Sequence, residues 1–261
     1  MSRITVKGIK KRLPACLQNI DIETYPTLDS TNTLCAHRIT EGCREWHTVI
    51  TASQTAGQGR LGRSFYSPEG TGIYMSCVLY PERENKDASL ITGCAAVAAA
   101  EAIEEVFGVS TDIKWVNDIF INNRKVAGIL AKGAFSKKTG HSVILGIGVN
   151  VYPPKDGFPH DIKDIAGCVT DRRCEDGRER LCAALISGFK KAYDNLSDFE
   201  YVKKYKSRCI TIGKNVTVHP AGRGEIIEAL AIDIDSKFHI KVRYKDGTED
   251  TLSSGEVSVR I

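Results

Sequence analysis

Cationic and hydrogen-bonding side chains stand beside glycines in three short segments of this 261-residue chain: Gly57-Gln58-Gly59-Arg60-Leu61-Gly62-Arg63, Lys114-Trp115-Val116-Asn117-Asp118 and Lys125-Val126-Ala127-Gly128-Ile129-Leu130. Glycine lets the backbone approach a ligand closely, and guanidinium forks and ammonium groups suit phosphate or carboxylate oxygens. Asp118 adds a carboxylate suited to a Mg²⁺ that bridges phosphates. The chemistry these residue types fit together is the activation of a carboxylate with ATP.

Each segment by itself has a plainer reading. Gly57, Gly59 and Gly62 spell G-x-G-x-x-G, and Gly57 to Ser64 approach a P-loop with Arg63 in place of its lysine. Both motifs require a helix directly after the loop. Phe65-Tyr66-Ser67-Pro68-Glu69-Gly70 puts a proline and a glycine there, so a helix N-terminus is not expected to hold the anion. An ordinary surface turn fits the first segment, a solvated salt bridge beside a packed Trp115 the second, and a plain strand with a bulge at Gly128 the third.

The flanking patterns supply the elements that must position these residues. Thr48-Val49-Ile50-Thr51 leads into the glycine segment and Gly72 to Leu79 follows it, so the loop is expected to join two strands. Asp87 to Phe107 is Ala-rich with helical apolar spacing, Glu104 and Glu105 outside, and Gly108 where a C-cap falls, which predicts a helix. Asp112 to Asn150 reads as an antiparallel meander, with turns at Asn122-Asn123 and at Lys137-Lys138-Thr139-Gly140. After Pro153-Pro154, helical periodicity returns from Arg178 to Leu196, with Leu181, Leu185, Ile186 and Phe189 on one face, and a shorter helix is expected over Phe199 to Arg208. From Thr211, short strands at Val216–Val218, Ile226–Ala229, Phe238–Tyr244 and Val257–Val259 predict a small barrel, dividing the chain into residues 1–210 and 211–261.

Composition narrows the classes. Hydrophobic residues at 42% and charged residues at 26% describe an ordinary globular protein, and a net charge of +4 is too modest for bulk nucleic-acid binding. Nine cysteines without a C-x-x-C pair argue against a disulfide framework and for a reducing cytosol. No stretch reaches the ~18 uninterrupted apolar residues of a membrane span, and Met1 to Lys7 lacks a signal-peptide core. The six histidines show no metal-ligand spacing, so zinc chemistry is not expected, and Lys10-Lys11-Arg12 reads as a solvated face.

Two further segments complete an ordered set: Asp29-Ser30-Thr31-Asn32 and Gly146-Ile147-Gly148-Val149-Asn150-Val151, with Gln54-Thr55-Ala56 preceding the glycine segment. The set resembles the signatures of the biotin protein ligases: D-S-T-N, Q-x-A-G-R-G-R, K-W-P-N-D, K-x-x-G-I-L and G-I-G-I-N-V. Gly255-Glu256-Val257-Ser258-Val259-Arg260 resembles the end of that family's SH3-like domain, so the likeness runs from Leu28 to the tail.

The resemblance implies an α/β (α+β) fold: a mixed, largely antiparallel sheet packed with helices, as in class II aminoacyl-tRNA synthetases and biotin ligases, followed by an SH3-like barrel. It implies a two-step reaction with biotin, ATP and Mg²⁺. Biotin's carboxylate attacks the α-phosphate of ATP to give biotinyl-AMP and pyrophosphate, and a lysine of a biotin carboxyl carrier protein then takes the biotinyl group. By transfer onto matching positions, Arg60, Lys114 and Lys125 are catalytic, and Ser30, Thr31, Asn32, Gln54, Gln58, Gly59, Arg60 and Lys125 bind biotin. Arg60, Arg63, Lys114, Asn117 and Asn150 serve ATP and the adenylate, and Asp118 the metal.

Four positions depart from the family pattern: Gln58 for Arg, Phe65 for Trp, Val116 for Pro, and Lys132 where an acidic residue commonly follows. Gln58 removes a cation from the loop and Lys132 reverses a charge, which motivates one alternative, a biotin-binding protein impaired in catalysis. Lipoate or octanoate ligase is a second alternative and a biotin-responsive DNA-binding regulator a third. The roughly 25 residues before D-S-T-N are few for a winged helix with its own core, so no specific DNA partner is expected. Family ligases are monomers or homodimers, and the expected compartment is cytoplasmic.

Overall fold

The computed structural model describes residues 4–82, 87–196, 198–220, 226–253 and 257–260. Two short elements, α1 (Val6–Lys10) and β1 (Ile22–Tyr25), precede α2 (Thr31–Glu41), and β2 (Thr48–Thr51) and β3 (Gly72–Leu79) flank the glycine segment. Then come α3 (Ala88–Phe107), β4 (Asp112–Lys114), β5 (Asp118–Ile121), β6 (Arg124–Ser136) and β7 (Gly140–Asn150). Helices α4 (Gly177–Tyr193) and α5 (Phe199–Arg208) lead to β8 (Asn215–Pro220), β9 (Ile227–Ile234), β10 (Ile240–Tyr244), β11 (Glu249–Leu252) and β12 (Val257–Arg260).

The first seven strands form one sheet in the order β1-β2-β3-β7-β6-β5-β4. β1 and β2 run parallel and every other neighbouring pair is antiparallel, so the sheet is mixed and largely antiparallel as expected. The meander from Asp112 to Asn150 is present, with Asn122 and Asn123 both left-handed at φ 50° and 60°, as a tight hairpin turn requires. The remaining strands make an antiparallel five-stranded sheet, β11-β10-β9-β8-β12. Gly255 and Glu256, part of the tail signature, lie outside the described residues.

Helix α3 is capped by the Asp87 carboxylate on Ser89 N–H and ends at Gly108, whose φ of 66° is left-handed. It is buried on nearly all sides because α4 and α5 cover it from outside while the sheet lies beneath. The sequence reading contained neither α2 nor β11. The buried side of α2 carries Thr31 and Asn32 beside Cys35 and Ile39, which blurs its apolar stripe, and β11 is exposed along Glu249-Asp250-Thr251.

Alternation of side chains gives the large sheet two distinct faces. Ile73, Met75, Cys77 and Leu79 of β3 with Leu145, Ile147 and Val149 of β7 enter the main core, into which α3 and α4 pack. The opposite face carries Val78 and Ile144 beneath Cys35 and Ile39 of α2, and continues along β7 as Gly146 and Gly148. That glycine-bearing face, partly roofed by α2, is where the segments singled out above converge.

An ion pair fixes α2 to the sheet edge: Arg38 donates through Nε and Nη2 to Glu23 of β1 at 2.8 and 2.9 Å, and His47 Nε2 lies 2.8 Å from the same carboxylate. The Arg38 hydrogen bonds are the main cause that brings the Glu23 carboxyl from 4.5 to about 2; burial opposes them, and Tyr25 and His47 assist. A carboxyl depressed in the folded state stabilises the fold fully above its ordinary pKa and loses that contribution as pH falls. Acid unfolding of Glu23→Gln, followed by circular dichroism, is therefore expected to be flatter than that of the parent between about pH 4.5 and 2, the two stabilities converging at the acid end.

Candidate active site

A cavity of about 210 Å³ opens between the first turn of α2, the glycine loop and the glycine-bearing face of the sheet. Missing side chains make its floor. A Cβ on Gly146 would lie 2.7 Å from Asn32 Oδ1, and one on Gly148 would lie 2.8 Å from the Phe65 ring. Across the register pair Gly128–Gly148, a Cβ on Gly128 would meet both the Lys125 stem and the Phe65 ring at 3.2 Å. The alternate positions Ile147 and Val149 carry full side chains because they point into the core.

Toward β3 the lining is neutral and hydrogen-bonded. Ser76 Oγ lies 2.7 Å from both Thr31 Oγ1 and Asn32 Oδ1. Gln54 Oε1 accepts from Thr31 N–H at 2.9 Å, and Gln54 Nε2 donates to Ser67 Oγ at 3.1 Å, whose hydroxyl donates to Phe65 O. Ser30 caps α2 and is buried, and its hydroxyl has no hydrogen-bond partner among the described residues.

Toward β5 the lining is charged. Lys125 Nζ pairs with Asp118 Oδ1 at 2.7 Å, and that buried oxygen makes no other bond among the described residues. Asn117, in the turn between β4 and β5, holds both sides: its Nδ2 donates to Ile129 O at 2.9 Å, and its Oδ1 accepts from Arg60 Nη1 at 3.0 Å. Burial lowers the Arg60 pKa, with Arg63 adding to the effect and Asp118 opposing it. Lys114 lines the cavity with its ammonium 6.0 Å from the Phe120 ring centre. The Trp115–Val116 peptide bond is cis.

The glycine loop folds over this space without a following helix, forming only the short turn Arg60–Gly62. Gly59 N–H donates to Arg63 O at 2.7 Å and Phe65 N–H to Gly57 O at 2.9 Å. Gln58 Nε2 donates to Thr33 Oγ1 at 3.2 Å, so the residue that replaces a cation ties the loop to α2.

Of the residues singled out from the sequence, Thr31, Asn32, Gln54, Gln58, Gly59, Arg60, Arg63, Lys114, Asn117, Asp118 and Lys125 all line the cavity. Ser30 is buried but is not among the lining residues. Asn150 shares the glycine-bearing face of β7 but stands beyond the lining, where its Nδ2 donates to Gly167 O at 3.2 Å. Asp118 pairs with Lys125 rather than with its register partner Lys114. Lys132 does not line this cavity but a wider groove of about 1040 Å³ that borders the same loop. Ser76 and Ser67 were not singled out; for Ser76, a hydroxyl inside a strand buried along its whole length is the signal that points to it.

The solved biotin protein ligase of Aquifex aeolicus, in complex with biotin and ATP, has this fold: the TM-score is 0.73 at 25% identity, covering 92% of this chain and 98% of that one. Residues 25–150 match the biotin/lipoate A/B protein ligase family. The chain is 30% identical over 217 residues to the biotin–[acetyl-CoA-carboxylase] ligase of Mycobacterium tuberculosis, across 80% of this chain and 77% of that relative. It therefore belongs to the biotin/lipoate A/B protein ligase family. Identity to the bifunctional ligase/repressor BirA of Bacillus subtilis is 34% over 213 residues, and the match spans 66% of that relative's length, just under two thirds.

Ser76→Ala tests the neutral half of the site. Removing the hydroxyl that lies against both Thr31 Oγ1 and Asn32 Oδ1 takes away a buried hydrogen-bond partner, so urea unfolding is expected to show a loss of ~1–3 kcal/mol. A variant as stable as the parent would show that these groups find other partners.

Proposed function

We propose that this chain is an ATP-dependent biotin protein ligase, forming biotinyl-AMP from biotin and ATP and passing biotin to a lysine of a biotin carboxyl carrier protein. The observation that carries the reading is one cavity in which a neutral hydrogen-bonding half, Thr31, Asn32 and Gln54, adjoins a cationic half, Arg60, Lys114 and Lys125. A ligand with an uncharged cyclic urea at one end and a reacting carboxylate at the other matches that division.

In this reading the ureido ring meets Thr31, Asn32 and Gln54, near the N-terminus of α2, where the Ser30 hydroxyl has no hydrogen-bond partner among the described residues. Lys125 orients the biotin carboxylate beside the α-phosphate of ATP. The carboxylate oxygen bonds to phosphorus as the bond to the pyrophosphate oxygen breaks, and Arg60, Arg63 and Lys114 offset the negative charge that accumulates. Such preorganised charge in a partly desolvated site stabilises a transition state without reorganisation cost at the moment of reaction. Asn117 keeps Arg60 turned inward, and Gly59 and the loop shield the mixed anhydride from water. The acceptor amine then attacks the anhydride carbonyl, and AMP departs.

Mg²⁺ characteristically keeps waters and takes one or two carboxylates plus substrate phosphates. Asp118 fits that requirement as the carboxylate of the cavity lining, with an oxygen that has only Lys125 as partner among the described residues. Mg²⁺ there would neutralise phosphate charge. We assign residues 1–210 to the ligand-binding unit and 211–261 to an SH3-like unit, and the cytoplasm as compartment. Nine free cysteines support that compartment, and no helix among the described residues is long and apolar enough to cross a membrane.

The full chain incubated with ATP, Mg²⁺ and radiolabelled biotin or lipoate in parallel is expected to yield biotinyl-AMP that labels an added carrier domain. Lipoyl-AMP instead would move the chain to the neighbouring activity, and biotin binding without adenylate would mean a binding protein. Lys125→Ala is expected to slow adenylate formation by ~100-fold or more, as the loss of one preorganised donor does, with its melting temperature close to the parent's. Full activity would remove Lys125 from the reaction.

A further inference from the structure

Phe238, in the turn before β10, lies at the junction of the small sheet with the turn that carries Lys114, Asn117 and Asp118. Its backbone is left-handed at φ 61°, a costly conformation for a bulky residue, and its ring is fully buried. The ring seats where α3 has no side chain: a Cβ on Gly93 would lie 2.2 Å from Phe238 Cγ. Tyr205 of α5 packs against it edge-on, with ring centres 5.1 Å apart and planes at 75°. Phe238 O accepts the Trp115 indole N–H at 2.8 Å.

Other contacts hold the same junction. Trp115 N–H donates to Thr211 Oγ1 at 3.0 Å, and Ile210 N–H to Ile113 O at 3.0 Å, so the middle of β4 and the residue after it are held by the segment that leads into the small sheet. His239, next to Phe238, lies 3.3 Å from the Asp87 carboxylate that caps α3 and 3.1 Å from Asp235. The Tyr205 hydroxyl is fully buried with no hydrogen-bond partner among the described residues. Burial pushes its pKa well above the ordinary value. Strain of this kind persists where the surroundings over-determine it. By contrast, Thr31, Asn32 and Gln54 make no hydrogen bond to residues beyond Thr211 among the described residues.

We infer that Phe238 is a positioning residue for adenylation: it holds the Trp115 indole, and through it the turn from Lys114 to Asp118, so that the small sheet helps set the charged half of the site while the ureido-binding side at Thr31, Asn32 and Gln54 stays in place. The inference rests on the proposed function. It does not require the small sheet to touch either substrate.

Gly93→Ala is the direct perturbation, because Gly93 lines neither cavity and the new methyl displaces the Phe238 ring. Phe238→Leu removes the same support from the other side and serves if the first variant does not fold. Adenylate formation is measured against ATP concentration well below each variant's melting temperature, and biotin affinity is measured without ATP. The expected result is a fall of about tenfold or more in kcat/KM for ATP with biotin affinity within about twofold of the parent, given that a misplacement of ~1 Å can cost ~100-fold. Folded variants with the parent's kcat/KM for ATP would overturn the inference, as would biotin affinity falling in step with activity. The unmodified chain in the same assay separates the two claims, since failure of the proposed function shows there as absent adenylate.

Discussion

The rest of the molecule depends on what alternates along β6 and β7. One set of positions, Ile129, Ile147 and Val149, carries the aliphatic side chains that seat α3 and α4. The other set, Gly128, Gly146 and Gly148, carries none and so leaves room for Asn32, Phe65 and Lys125. A sheet buried on both faces needs material on each, and here the second face is filled by functional side chains from α2 and the glycine loop rather than by its own. The same period of two therefore builds the core and empties the site.

Filling that space with polar groups imposes a further condition, because a buried polar atom without a partner costs ~1–3 kcal/mol. The neutral half meets it through the chain of hydroxyls and amides that runs from Ser76 through Thr31 and Gln54 to Ser67. The charged half meets it through the Lys125–Asp118 pair and the Asn117 bond to Arg60. Ser30 and Tyr205, which are not among the lining residues, are each a buried hydroxyl with no hydrogen-bond partner among the described residues. The two halves draw on different elements: α2 with β3 on one side, and the β4–β5 turn with β6 and the glycine loop on the other.

The departures from the family pattern acquire local meanings in this setting. Phe65 fits over paired glycines, and Gln58 exchanges a charge for a bond to Thr33. Val116 is buried beside Trp115, and Lys132 faces the wider groove outside the cavity.

The sequence alone determined the meander, whose asparagine and glycine turns are local chemistry, and the boundaries of α3 and α5, which follow from capping and short-range periodicity. It also marked most of the residues that line the cavity: glycine, Arg and Lys at short spacing pointed to phosphate chemistry, and the resemblance to the biotin protein ligases added Thr31, Asn32 and Gln54. It did not reveal α2, since Thr31 and Asn32 occupy the stripe from which a helix is recognised, nor Ser76, whose importance lies in groups 44 and 45 residues away. Tertiary structure alone decided that Asp118 pairs with Lys125 instead of Lys114, that Asn150 turns to Gly167, and that Phe238 supports Trp115. Each of these is a choice among partners distant in the chain. Such choices are made by sheet register and by which side chains a packed neighbour leaves room for, neither of which has a local signature.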